Sequence, residues 1–187
     1  MKRALLGRIR PAFVLFVIVV AAGTFGLVSQ SSAVSSEESA SGHGTLTVVD
    51  ANGDTVKRQF SFHARKSADG TVQGKVNLRN PAFAGDDGKS FFLKGDISCM
   101  QVIGNIAILG GTPERTNDAL LNDAFYFTVQ DNGEPGKDRD KISSVFFFDD
   151  DPTTQGDPQL CLLTGPNDFP LNTIDGGNIQ VRGGLTP

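Results

Sequence analysis

Past residue 44 the chain alternates apolar and polar side chains in short runs, and each run predicts a strand with one face towards a core. Thr45 to Val49 opens the series. In Val56 to Arg65, Phe60, Phe62 and Ala64 share one face while Ser61, His63 and Arg65 take the other. Val72, Val76 and Leu78 alternate with Gln73, Lys75, Asn77 and Arg79, and Phe91 to Cys99, Ile106 to Leu109 and Phe125 to Val129 repeat the pattern. Ile142 to Phe148 ends in three phenylalanines, apolar on both parities, which predicts cover on both faces. Gln159 to Leu163 and Asn178 to Val181 read as the last strands. Only Glu114 to Ala124, with Ala119, Leu120 and Leu121, offers a short helix.

Turn chemistry separates these runs. Asn52-Gly53, Asp69-Gly70, Asp86-Asp87-Gly88 and Gly104-Asn105 supply the residues that hairpins need. About nine short strands so punctuated predict an all-β fold, an antiparallel β-sandwich or flattened barrel. The 22 glycines, 14 phenylalanines and absence of tryptophan fit many turns around a core of Phe, Val, Ile and Leu.

Ahead of the strands the pattern is different. Lys2, Arg3, Arg8 and Arg10 lead into a charge-free run from Ala12 to Val28, and Ser31 and Ala33 have the spacing a signal peptidase reads. Residues 1–33 are therefore expected to be a signal peptide, 34–42 a flexible Ser, Glu, Ala and Gly leader, and 43–187 a single β domain. The rival is an uncleaved anchor, since the run approaches the roughly 20 residues that span a bilayer. The chain is expected to be secreted or otherwise extracytoplasmic. Membrane contact, if any, would come only through that segment.

Loss of residues 1–33 leaves thirteen Lys and Arg against 21 Asp and Glu, a charge of −8 compared with −4 for the whole chain. Such a balance argues against nucleic acid as a partner. The partner itself is unknown from sequence. Cys99 and Cys161 both lie in the exported part, so a single disulfide is expected, closing a loop of about sixty residues and adding ~4 kcal/mol in the chain-entropy picture. Cys99 shares the apolar parity of Phe91, Leu93 and Ile97, which predicts a buried bond.

Two acidic segments are the candidate metal sites, with calcium as the cofactor they would suit. Against a twelve-residue calcium loop, Asp131 and Gly136 fit positions one and six, but Gly133, Pro135 and Ile142 bring no side-chain oxygen. Asp131, Asp138 and Asp140 are the candidate ligands there, and the plainer reading is turn stabilisation. Asp149, Asp151, Thr153 and Asp157 match positions one, three, five and nine, with Thr154 at six and Leu160 at twelve. Solvated loop charge is the plainer reading of that segment. Up-and-down connectivity puts the two segments at opposite ends of the strand between them, and sets 149–151 on a rim with Asp50, Asn52, Asp54, Asp86 and Asp87.

Catalysis has little support. The two histidines, His43 and His63, stand apart from any nucleophile elbow or metal spacing. The reading is a non-catalytic exported structural or binding module without a cofactor. The alternative is a secreted hydrolase using loop carboxylates, with or without calcium, and it requires an aspartate held against apolar walls.

Several phrases carry a resemblance. Phe60-Ser61-Phe62-His63-Ala64-Arg65-Lys66, then Gly74, Ile97, Val102-x-Gly104-Asn105-x-Ala107, Phe125-x-Phe127-x-Val129-x-Asp131-Asn132-Gly133-Glu134-Pro135-Gly136 with Asp138, and Gly177-Asn178-Ile179-Gln180-Val181 resemble the exported bacterial post-COAP domain family from about residue 42 to 182. The resemblance implies a secreted β-rich domain without an assigned activity. The chain departs from the family pattern in its acidic insertion 149–158 and its two cysteines.

Overall fold

A computed structural model describes residues 37–147 and 154–183. The segment 1–33, the residues 148–153 and the calcium candidates Asp149, Asp151 and Thr153 lie outside the described residues. Among the described residues the fold is all-β, with ten antiparallel strands in one curled sheet that forms a half-barrel.

The strands are β1 (Glu38–Val49), β2 (Thr55–Lys66), β3 (Val72–Ala84), β4 (Ser90–Ile103), β5 (Ile106–Thr116), β6 (Phe125–Gln130), β7 (Lys141–Ser143), β8 (Phe146–Phe147), β9 (Leu171–Thr173) and β10 (Gly176–Arg182). Their order in the sheet is β10-β1-β2-β3-β4-β5-β6-β7-β9, with β8 paired to β6. The two ends of that order, β9 and β10, are consecutive in the chain and joined by Ile174 and Asp175. The curl therefore returns towards its own first strand.

The inner face carries the main core. Phe60, Phe62, Phe91, Leu93, Phe125 and Phe127 are all buried there, with Phe62 edge-on to Phe127 at 5.5 Å between ring centroids. Burying such aromatic side chains supplies much of the driving force for the curl. The outer face is polar on β1–β3, but on β4–β6 it holds a second, smaller cluster of Cys99, Ile108, Ala124, Tyr126, Cys161 and Phe169. Phe147 packs with the first cluster and Phe146 with the second, as apolar parity on both sides requires.

Several expectations are corrected. The leader ends early, because β1 starts at Glu38 and pairs with both β2 and β10. Its Ser and Gly residues read as a linker, yet Gly42 packs against Phe62, and a Cβ at Gly42 would stand 2.7 Å from that ring. The helix expected over 114–124 is reduced to a 3-10 turn at Ala119–Leu121, capped by the Asp118 carboxylate, because β5 runs on to Thr116. The strand expected at 159–163 is a 3-10 helix, Pro158–Leu163, started by Pro158 behind the Asp157 cap. The stretch between the last two expected strands contains β9, and the strand expected over 142–148 is, in its described part, broken into β7 and β8.

Candidate functional site

The disulfide forms as expected between Cys99 and Cys161, with Cα atoms 6.2 Å apart, and both residues are buried. The face differs from the expectation. A β-bulge lies between Ile97, which pairs with Gly111, and Cys99, which pairs with Gly110, so Ser98 is the extra residue and the parity reverses. Ile97 and Met100 face the main core while Cys99 faces the outer cluster. The bond thus pins the 3-10 helix Pro158–Leu163 onto the outside of β4 and β5. Gly110 leaves room for it: a Cβ there would stand 3.0 Å from that of Cys161. Phe146 stacks on Phe169 at 4.4 Å beneath the same cover. Burial holds the Tyr126 hydroxyl above its ordinary pKa, with Asp157 and Asp123 adding to the effect.

The turn 131–140 is a docking device for β10. The Asp140 side chain is fully buried, and its two oxygens accept from Asn132 N and Ile179 N, each at 2.8 Å. Asp131 accepts from Gly133 N at 2.9 Å and from Val181 N at 3.1 Å. Ile179 and Val181 sit two residues apart on β10, so these N–H groups point away from β1 and would otherwise lack a strand partner. Two carboxylates stand in for the missing carbonyls. Asn178 Oδ1 accepts from Gly136 N, and Glu134 accepts from Asn178 Nδ2 at 2.8 Å. Asn105 joins from the β4–β5 hairpin, donating its Nδ2 to Asp131 O at 2.6 Å.

Of the residues singled out in sequence, Asp131 and Asp140 are brought together, but by main-chain donors. Asp138 has φ 62° and its N–H donates to Ile174 O. Asp157, the one described member of the other calcium set, caps the 3-10 helix by accepting from Gln159 N. No group of three or more His, Cys, Asp or Glu placed to hold a metal ion occurs among the described residues. At the opposite end, Asp50 accepts from Asn52 N and Asp54 N. Asp87 accepts from Lys89 N and Asn117 Nδ2, and these bonds hold its carboxyl below the usual range.

Three features escaped the sequence reading. Arg58 shares the inward parity of Phe60 and is only 3% exposed; Nη2 donates to Ser143 O at 2.8 Å, Nε has no hydrogen-bond partner, and burial lowers its pKa to about 10. Asp123 is buried with Oδ2 unbonded, while Oδ1 accepts from Gly156 N at 2.6 Å. The third is the outer face of β2–β4, where the register lines up Gln59, Arg79 and Phe92 in one row, Ser61, Asn77 and Lys94 in the next, and His63, Lys75 and Asp96 in a third. Lys75 binds Asp96 at 2.6 Å and also Glu114, which raises its pKa.

Compared with family models, with curated proteins and with solved structures, the chain shows no match.

Proposed function

We propose that the chain is an exported, non-catalytic structural or binding module, working at or outside the cell surface after removal of residues 1–33. The observation that carries this reading is how the polar groups are used. The sheet interior is filled by contacting rings, and the carboxylates of the 131–140 turn are occupied in holding the fold. The buried disulfide suits an oxidising, extracytoplasmic setting, and no helix among the described residues is long and apolar enough to cross a membrane. The resemblance to the post-COAP family supports the same reading. Its GNIQV, DNGEPG and Gly104-Asn105 phrases meet at one end of the sheet, where their joint bonding explains them without a ligand.

A hydrolase reading rests on Asp123, the buried carboxylate beside Ala124 with a free oxygen. The discriminating experiment incubates the purified chain with chromogenic ester and glycoside substrates, with calcium and with chelator. No turnover is expected. Turnover that disappears in Asp123→Asn would replace the module with the enzyme. Reductant provides the compartment test: it should lower the urea midpoint, by up to ~4 kcal/mol of stability if the bond opens fully.

A further inference from the structure

Charge is distributed unevenly over this protein. The whole chain is acidic, yet the outward positions of β2–β4 carry Lys57, Arg65, Lys75, Arg79 and Lys94 against Asp96 alone, a local charge of +4. Arg65 and Lys75 are engaged by Glu37 and by Asp96 with Glu114. Lys57, Arg79 and Lys94 are exposed and make no ion pair among the described residues. Arg115, across from Lys94 on β5, lies over the Phe92 ring at 5.5 Å from its centroid. Among the described residues the sheet therefore presents three cations without an acidic partner, interleaved with the amides of Gln59 and Asn77 and the hydroxyl of Ser61.

The same face is grooved. A depression of about 350 Å³ lies among Gln59, Ser61, Asn77, Arg79, Phe92 and Lys94. A second, of about 630 Å³, follows it along the same strands between His63, Arg65, Gln73, Lys75 and Asp96. Two consecutive hollows suit a chain-like ligand better than a compact one.

We infer that the outer face of β2–β4 binds an acidic polysaccharide bearing carboxylates, with Arg79 and Lys94 as its principal charge contacts and Gln59, Ser61 and Asn77 meeting sugar hydroxyls. This rests on the module reading above and names its ligand class. Guanidinium and ammonium groups pair with carboxylates, and an excess of one sign along a groove concentrates a polyanion there. Duplex nucleic acid or a lipid surface fits less well. The Phe92 ring on this face lies under Arg115, and the exposed apolar side chains are scattered, with Val49 and Phe83 near strand ends, Leu120 in the 3-10 turn and Leu160, Leu162 and Leu163 on the disulfide-pinned helix, none of them lining either hollow.

The test uses the chain from Val34 onward, which forms one unit with its own core. Polygalacturonate, neutral dextran, a short DNA duplex and phosphatidylglycerol vesicles are titrated in turn. Binding is expected to polygalacturonate alone, weakening at least about tenfold as salt rises past the concentration at which surface charges are screened. Arg79→Glu with Lys94→Glu should weaken it about tenfold or more, and Arg79→Gln with Lys94→Gln by an intermediate factor, while Lys137→Glu in the acidic turn stays within about twofold. Unchanged urea midpoints confirm that the variants fold. No binding to polygalacturonate, equal losses in the Lys137→Glu control, or tighter binding to DNA or vesicles would each overturn the inference. Release of reducing ends from the polymer would instead overturn the non-catalytic reading and leave the binding face standing.

Discussion

The acidic turn 131–140 and the basic face of β2–β4 are both charged, both lie on regular hairpin architecture, and use their charge in opposite ways. In the turn, Asp131 and Asp140 accept main-chain N–H groups from β10 and from the turn itself. On the face, Arg79 and Lys94 touch no acid at all among the described residues. Charge bonded to backbone explains a fold. Charge held at fixed spacing without a partner in the fold is open to one outside it, and the density of charged letters in a sequence does not separate the two.

Substitutions that remove one kind of charge should therefore act on stability and spare binding, and the converse should hold for the other. Asp140→Ala should have the largest effect, about 3 kcal/mol in urea unfolding, since the buried Ile179 N–H and the part-buried Asn132 N–H lose a charged acceptor. Asp131→Ala, at a half-buried site, should cost about 1–2 kcal/mol by the same assay. If both cost no more than an exposed substitution, the turn is not what holds β10.

Arg58 sharpens the contrast, being a cation that is buried but only partly bonded. Its lowered pKa means that the folded state binds this proton less tightly than the unfolded chain does. Its burial therefore opposes folding at neutral pH, and the opposition fades as pH rises through about 10. Arg58→Met should accordingly leave stability unchanged or raise it by up to about 2 kcal/mol at pH 7, with a smaller advantage above pH 10. A large loss would mean that the bond to Ser143 O outweighs desolvation. Lys94→Gln should be the smallest effect, within about 0.5 kcal/mol, because nothing in the fold depends on that side chain.

The strands with plain alternation are legible in the sequence itself. Phe60, Phe62 and Ala64 face inward and Ser61, His63 and Arg65 outward, as period two demands, and Asn52-Gly53 makes its hairpin with Gly53 at φ 85°. What escaped was governed by tertiary contact. Ser39 to Gly44 lacks apolar signal because the side chains that fill its inner face belong to Phe60 and Phe62 of the neighbouring strand. The face of Cys99 depends on one extra residue at Ser98, which no parity count reveals. The 3-10 helix at Pro158–Leu163 reads as a strand because Leu160, Cys161, Leu162 and Leu163 are apolar, yet only Cys161 is drawn inward and the three leucines stay exposed. The acidic candidates are legible as residues but not as roles, since their donor partners on β10 are main-chain N–H groups 39 and 50 positions away. The basic face was present in the outward letters of three strands and became visible only once register set them side by side.

The most direct test is amide hydrogen exchange at Ile179 and Val181, compared between the native chain and Asp140→Ala, with calcium and with chelator. If carboxylates complete the edge of β10, Ile179 loses its protection in the variant, Val181 keeps most of its own, and calcium changes neither. Protection at Ile179 that survives the substitution, or that appears only when calcium is added, would contradict that assignment.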